Sequence, residues 1–104
     1  MKAVVFYESA DDVGAKAPAH FPAHVARWKE FADRGELLMI GSFANALEDG
    51  AMGIFTTREA ADEFVRSDPF VLHGVVRNWT IREGTKSSSR TSDNTVSRTT
   101  ASGL

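Results

Sequence analysis

The residues best suited to proton chemistry in this chain are its three histidines, His20, His24 and His73. Imidazole changes charge near neutral pH and can both take and return a proton. The chain has no cysteine, which excludes thiolate catalysis, disulfides and cysteine-based zinc sites. It has no Gly-x-Ser-x-Gly elbow for a serine nucleophile. It has neither a GxGxxG turn nor a P-loop to cradle a phosphate-bearing group, and no cofactor is expected. His20 and His24 are four apart, a metal-ligand spacing on a helix, but no acidic third ligand stands nearby, so no metal is expected either.

His24 is the histidine to explain. Read as a helix, residues 19–31 place Phe21, Val25, Trp28, Phe31 and Ala32 on one apolar arc. At about 100° per residue, His24 falls inside that arc, roughly 40° from Trp28. A titratable ring on the core side of a helix is either a satisfied core group or part of a pocket. Ser42, near the end of an apolar run, either donates to a substrate or solvates a strand end. Tyr7 serves as a second acid or packs in the core. His73 follows Phe70 in a turn and is expected to be exposed. Asp68 precedes Pro69 and, by itself, reads as a turn-former or a carboxylate bonded to local amides.

The elements that must position these groups follow from periodicity. Residues 2–8 (KAVVFYE) read as a strand with Ala3, Val5 and Tyr7 on one face and Val4 and Phe6 on the other. A strand apolar on both sides belongs in the middle of its sheet. Residues 9–17 read as a loop. Pro18 and Pro22 are tolerated only in a first turn, so a helix is expected to begin between Ala19 and Pro22 and to end near Arg34, with Gly35 at its C-cap. That places His24 close to the helix N-terminus, where free N–H groups and the dipole favour an anion and lower imidazole basicity.

Residues 36–43 and 51–56 read as strands joined by a link too short for a crossover, hence a hairpin. The run Thr56-Thr57-Arg58-Glu59 resembles a capping box opening a second helix, with Ala60, Ala61, Phe64 and Val65 on its apolar face. Pro69 stops that helix, and residues 75–82 form the last strand.

The resulting order, βαββαβ, predicts an α+β, ferredoxin-like domain over residues 1–84: a four-stranded antiparallel sheet with two helices on one face. The other sheet face, apolar in the first strand, predicts a homodimer with sheets facing each other. Residues 85–104 are Ser/Thr-rich with little apolar character and are expected to be a disordered tail.

A formal charge of −2 argues against a nucleic-acid or acidic-membrane partner. No apolar run approaches the ~20 residues needed to span a bilayer. The N-terminus lacks a signal-peptide core, so a cytoplasmic location is expected.

With these elements placed, the chain resembles the YciI-like (YCII-related) family of dimeric α+β barrel proteins. The resemblance rests on HVARWKEFADRGELLMIGSF with its helix-borne histidine and Gly41, and on the SDPF turn followed by HGVV. It implies a pocket holding a His/Asp pair, here His24 and Asp68, with Phe70 following closely enough to wall it. It also implies small-molecule chemistry. The family includes a dehydrochlorinase acting on a chlorinated hydroxyhydroquinone, and it is similar to muconolactone-isomerase-type barrels. Where the family often has an arginine three residues before the histidine, this chain has Phe21, and Arg27 or His20 is the candidate replacement cation. Gly41-Ser42 stands where Gly-Pro is common.

A carboxylate that fixes the imidazole tautomer makes an acid–base unit. The expected function is therefore a cofactor-independent lyase, isomerase or dehydrohalogenase. Its catalytic pair is His24 and Asp68, and Ser42, Phe70 and Arg27 contact a small anionic or phenolic ligand. The alternative is a non-catalytic dimeric binding module.

Overall fold

The computed structural model describes residues 1–85, and the segment read as a tail lies outside the described residues from position 86. In chain order the elements are β1 (Lys2–Ser9), α1 (Val13–Asp33), β2 (Leu37–Ser42), α2 (Ala46–Asp49), β3 (Ala51–Phe55), α3 (Arg58–Ser67), α4 (Pro69–Leu72) and β4 (Val76–Gly84). The sheet runs β2-β3-β1-β4 with every neighbouring pair antiparallel. This is the expected α+β, ferredoxin-like arrangement.

β1 lies between β3 and β4, as a strand apolar on both faces requires. Its inward residues Ala3, Val5 and Tyr7 are buried with Phe31 of α1, Phe55 of β3, and Ala60, Ala61, Phe64 and Val65 of α3. Three phenylalanines form the centre. Phe31 meets Phe64 and Phe55 edge-on, at 5.3 and 6.2 Å between centroids, an arrangement that aligns ring edges with ring faces. The outward residues, Val4 and Phe6 of β1 with Met52 and Ile54 of β3 and Met39 of β2, share the other face of the sheet, and Phe6 and Met39 are exposed there.

The helices depart from the sequence reading in instructive ways. α1 begins at Val13, so Pro18 and Pro22 lie inside it and residues 13–17 are helix rather than loop. Each proline removes one helical donor, freeing the carbonyls of Gly14 and Pro18. Gly14, Pro18 and Pro22 are all exposed, so water can take those bonds. Phe31 and His24 are the buried residues of α1, while Ala32, assigned to the apolar arc, is exposed. Gly35 does adopt positive φ (76°) just past the helix end.

α3 is capped by Thr57, whose hydroxyl accepts from the Ala60 N–H at 3.1 Å. The capping box on Thr56 does not form, because the Thr56 N–H donates to the Glu36 carbonyl. Two short helices, α2 and α4, occupy segments read as turns. β2 contains a register shift between Leu37 and Met39 that leaves Leu38 and Met39 about half exposed. Among the described residues, no helix is long and apolar enough to cross a membrane.

Phe31 tests this core. Phe31→Ala is expected to cost about 3–5 kcal/mol, because the ring is fully buried and its neighbours are themselves held in place. Leu72→Ala, at a 60% exposed position, should change stability by less than about 0.5 kcal/mol. Urea midpoints of the two variants measure the difference.

Candidate functional site

The site is built around Asp68, a carboxylate with no solvent exposure. Asp68 ends α3 and caps α4. Its Oδ1 accepts from the Phe70 N–H at 3.1 Å, and Pro69 occupies the first turn, where a missing N–H is harmless. The same oxygen lies 2.8 Å from His24 Nδ1, and Oδ2 accepts from the Tyr7 hydroxyl at 2.6 Å. An ionised carboxylate only accepts, so Nδ1 carries the hydrogen and the neutral ring keeps its lone pair on Nε2.

The ring is also held by its faces. Phe70 stacks on it at 3.9 Å with 5° between planes, and Phe64 approaches edge-on at 6.3 Å. The turn that supplies the carboxylate therefore also supplies the plate against the imidazole. His24 stands eleven residues into α1, so the expected helix-terminus effect on it is withdrawn: the helix starts at Val13, three turns earlier.

His24 forms part of the wall of a cavity of about 290 Å³ between α1 and the sheet. The wall is largely apolar and rich in aromatic rings, with Phe21, Trp28, Phe55, Phe64 and Phe70, and its polar side chains are His24, Tyr7 and Ser42. Phe21 and Ser42 are exposed lining residues and rim the opening.

Of the residues singled out in the sequence, the fold thus brings His24, Asp68, Phe70 and Ser42 to one place. Arg27 is placed elsewhere. Its guanidinium donates to the carbonyls of Glu63 (2.7 Å) and Phe64 (3.4 Å) and packs over Phe31. These carbonyls lie toward the C-terminal end of α3, and Arg27 ties the two helices together instead of lining the cavity. His20 is not a replacement cation in the cavity either. It stacks on His73 at 4.2 Å, outside the lining residues, which also separates it from His24 as a metal pair. Among the described residues, no group of three or more His, Asp or Glu side chains is arranged to hold a metal.

Tyr7 is the member that sequence reasoning left open. Its position in the alternation Ala3, Val5, Tyr7 marks it as inward, and only the fold reveals Asp68 opposite it. Burial, then the charge of Asp68 and the hydrogen bond to it, raise the phenol far above its ordinary value, with Arg27 pulling the other way.

No family model and no curated protein matches the chain. A solved structure does: 5-chloro-2-hydroxyhydroquinone dehydrochlorinase (TftG) from Burkholderia phenoliruptrix AC1100, in complex with 2,5-dihydroxybenzoquinone. It is similar at a TM-score of 0.68 and 14% identity, over 84% of this chain and 96% of that one. At this identity the likeness shows the fold alone, the α+β, ferredoxin-like arrangement described above.

The raised phenol has a measurable consequence. An unfolded chain releases the tyrosine proton near its ordinary pH of 10.0, whereas the folded chain retains it. Folding therefore loses stability as pH rises past 10.0, and nothing is lost from this source at neutral pH. Tyr7 is the only tyrosine in the chain. Its near-ultraviolet phenolate absorbance should stay absent until alkaline unfolding, and should appear at lower pH in Asp68→Asn, which removes the charge. Phenolate appearing near pH 10.0 in the folded native protein would contradict the geometry.

Proposed function

We propose that this protein is a small-molecule enzyme of the YciI-like kind, acting without a cofactor, with His24 as its proton acceptor and donor and Asp68 as the group that orients it. One observation carries the reading. The Nδ1–Asp68 bond lies in the wall of a largely apolar cavity and leaves Nε2 as the nitrogen available to a ligand. A hydroxylated ring or an enol would pass its O–H proton to Nε2. Its oxygen then pushes electron density into the conjugated system, which either expels a leaving group with its bonding pair or shifts a double bond. The imidazolium returns the proton to carbon or to the departing group. Lyase, isomerase and dehydrohalogenase reactions share that first step.

The wall favours the phenolic class over a carboxylate. Among the described residues, no lysine or arginine lines the cavity, Arg27 is bonded to α3, and the buried charge nearest the ring is the negative Asp68. Flat aromatic walls suit a planar ligand, and about 290 Å³ suits a single ring. The Burkholderia protein is named for a chlorinated hydroxyhydroquinone and was crystallised with a dihydroxybenzoquinone, ligands of this planar, oxygenated kind.

The outward sheet face belongs to the same proposal. Val4, Phe6, Met39, Met52 and Ile54 form an apolar surface that the helices leave uncovered. A second copy of the chain, sheet against sheet, would bury it.

Two measurements test this reading. On a panel of hydroquinones and chlorinated hydroquinones, His24→Gln should lower turnover by about 10²–10⁴-fold, the usual worth of a positioned acid–base group, with the fold retained. Ligand binding with no turnover by the native protein would instead favour a binding module. Sedimentation at micromolar concentration should give a dimer, shifted toward monomer by Phe6→Asp. A monomer throughout would remove the sheet-to-sheet pairing.

A further inference from the structure

We infer that Tyr7 is a positioning residue that acts on His24 through Asp68, by donating to the carboxylate oxygen that the ring leaves free. The inference rests on the acid–base reading of His24 given above. Asp68 Oδ1 serves two donors, the His24 ring and the Phe70 N–H, whereas among the described residues Oδ2 has Tyr7 as its one partner. The 2.6 Å contact is short, as expected for a hydroxyl donating to a charged oxygen.

Tyr7 is held in place independently of Asp68. β1 pairs with β3 and β4 at this position, opposite Ala51 and Trp79. On the other side of its backbone, the Tyr7 carbonyl stands so close to Gly50 that a Cβ there would lie 1.8 Å from it. The backbone that carries the hydroxyl is thus fixed by the sheet.

The electrostatic consequence follows from treating the two groups as one unit. His24 and Asp68 together carry one negative charge when the ring is neutral, and none when it is imidazolium. A hydroxyl donating to Oδ2 stabilises the charged state, and so weakens the hold of the pair on a proton. Remove that donor and the pair retains its proton to higher pH. The phenol itself stays protonated, since burial and the charge of Asp68 hold it far above its ordinary range. It is therefore a donor throughout and not a competing acid.

Among the described residues, the other groups near the ring make no side-chain hydrogen bond to the His24–Asp68 pair. On α1, His20 lies one turn before His24, and Arg27 is bonded to the carbonyls of α3. From α4, Phe70 contributes an uncharged face and His73 stacks on His20. β1 contributes Tyr7, and the junction of α3 and α4 contributes Asp68.

Because the chain has one tyrosine, it can be altered in both directions at a single site. Tyr7→Phe removes the donor. Biosynthetic replacement by 3-fluorotyrosine makes it a stronger one. The readout is the titration of the His24 ring followed by nitrogen-detected NMR, with His20 and His73 as internal references, and it needs no substrate. Relative to the native protein, the His24 titration should move to higher pH in Tyr7→Phe and to lower pH with 3-fluorotyrosine. Once a turned-over substrate is in hand, the acid limb of the rate profile should move with it.

A tyrosine that merely fills space would leave both titrations where they were, and that result, or movement in the opposite sense, overturns the inference. Should Tyr7→Phe fail to fold, the fluorinated protein decides alone. Loss or retention of turnover in His24→Gln bears on the acid–base reading and leaves the titration result untouched.

Discussion

The structure depends on satisfying one buried carboxylate. Moving an unpaired carboxylate into an apolar interior is prohibitive, and the group is retained only where hydrogen bonds replace water. Asp68 receives three donors from three parts of the chain: the hydroxyl of β1, the ring of α1 and the backbone of its own turn. Each hydrogen bond to a charged group is worth about 1.5–3 kcal/mol, so no one of them offsets the desolvation. The first strand, the first helix and the junction of α3 and α4 must therefore arrive together, and the fold is constrained at the candidate site.

That constraint leaves the imidazole little freedom. Its Nδ1 is fixed by Asp68 and its face by Phe70, two residues apart on one turn. A rotation of α4 that freed the ring from one would pull it from the other. Arg27 reinforces the arrangement from outside the cavity by bonding α1 to the carbonyls of α3. The cation that the sequence offered as a substrate contact is instead part of the frame holding two helices in register. The cavity wall is left aromatic and free of fixed positive charge among the described residues.

Local patterns recovered the elements whose sequence preferences agree with their tertiary setting. β1 was legible as central because both faces are apolar. The hairpin of β2 and β3 followed from its short link, and Gly35 from the end of a periodic run. The start of α1 was not legible, because proline removes a donor from any helix interior, and whether water can compensate depends on exposure that only the fold decides. The bulge in β2 was hidden for a related reason: the apolar run Leu37 to Ile40 does not say which residue is the extra one. His24 stood out as a polar residue on an apolar arc, and Asp68 joined it through family resemblance. Tyr7 was left between a second acid and strand core. A tyrosine in an alternating strand reads as core, and its partner lies 61 residues away.

The two faces of β1 join these observations. Tyr7 points inward to Asp68 and its neighbour Phe6 points outward to the uncovered sheet face. A slip of one residue would exchange them, leaving the carboxylate without its hydroxyl and a phenylalanine in its place. The register is held from both edges, by β3 from Ala3 to Tyr7 and by β4 along nearly the whole strand. It is held again at Gly50, whose positive φ (75°) and missing side chain let the chain pass against the Tyr7 carbonyl. The strand pairing that builds the sheet is therefore also what delivers the hydroxyl to the carboxylate. Any change that loosens the sheet near Gly50 therefore acts on the Tyr7–Asp68 bond without touching the His24 ring.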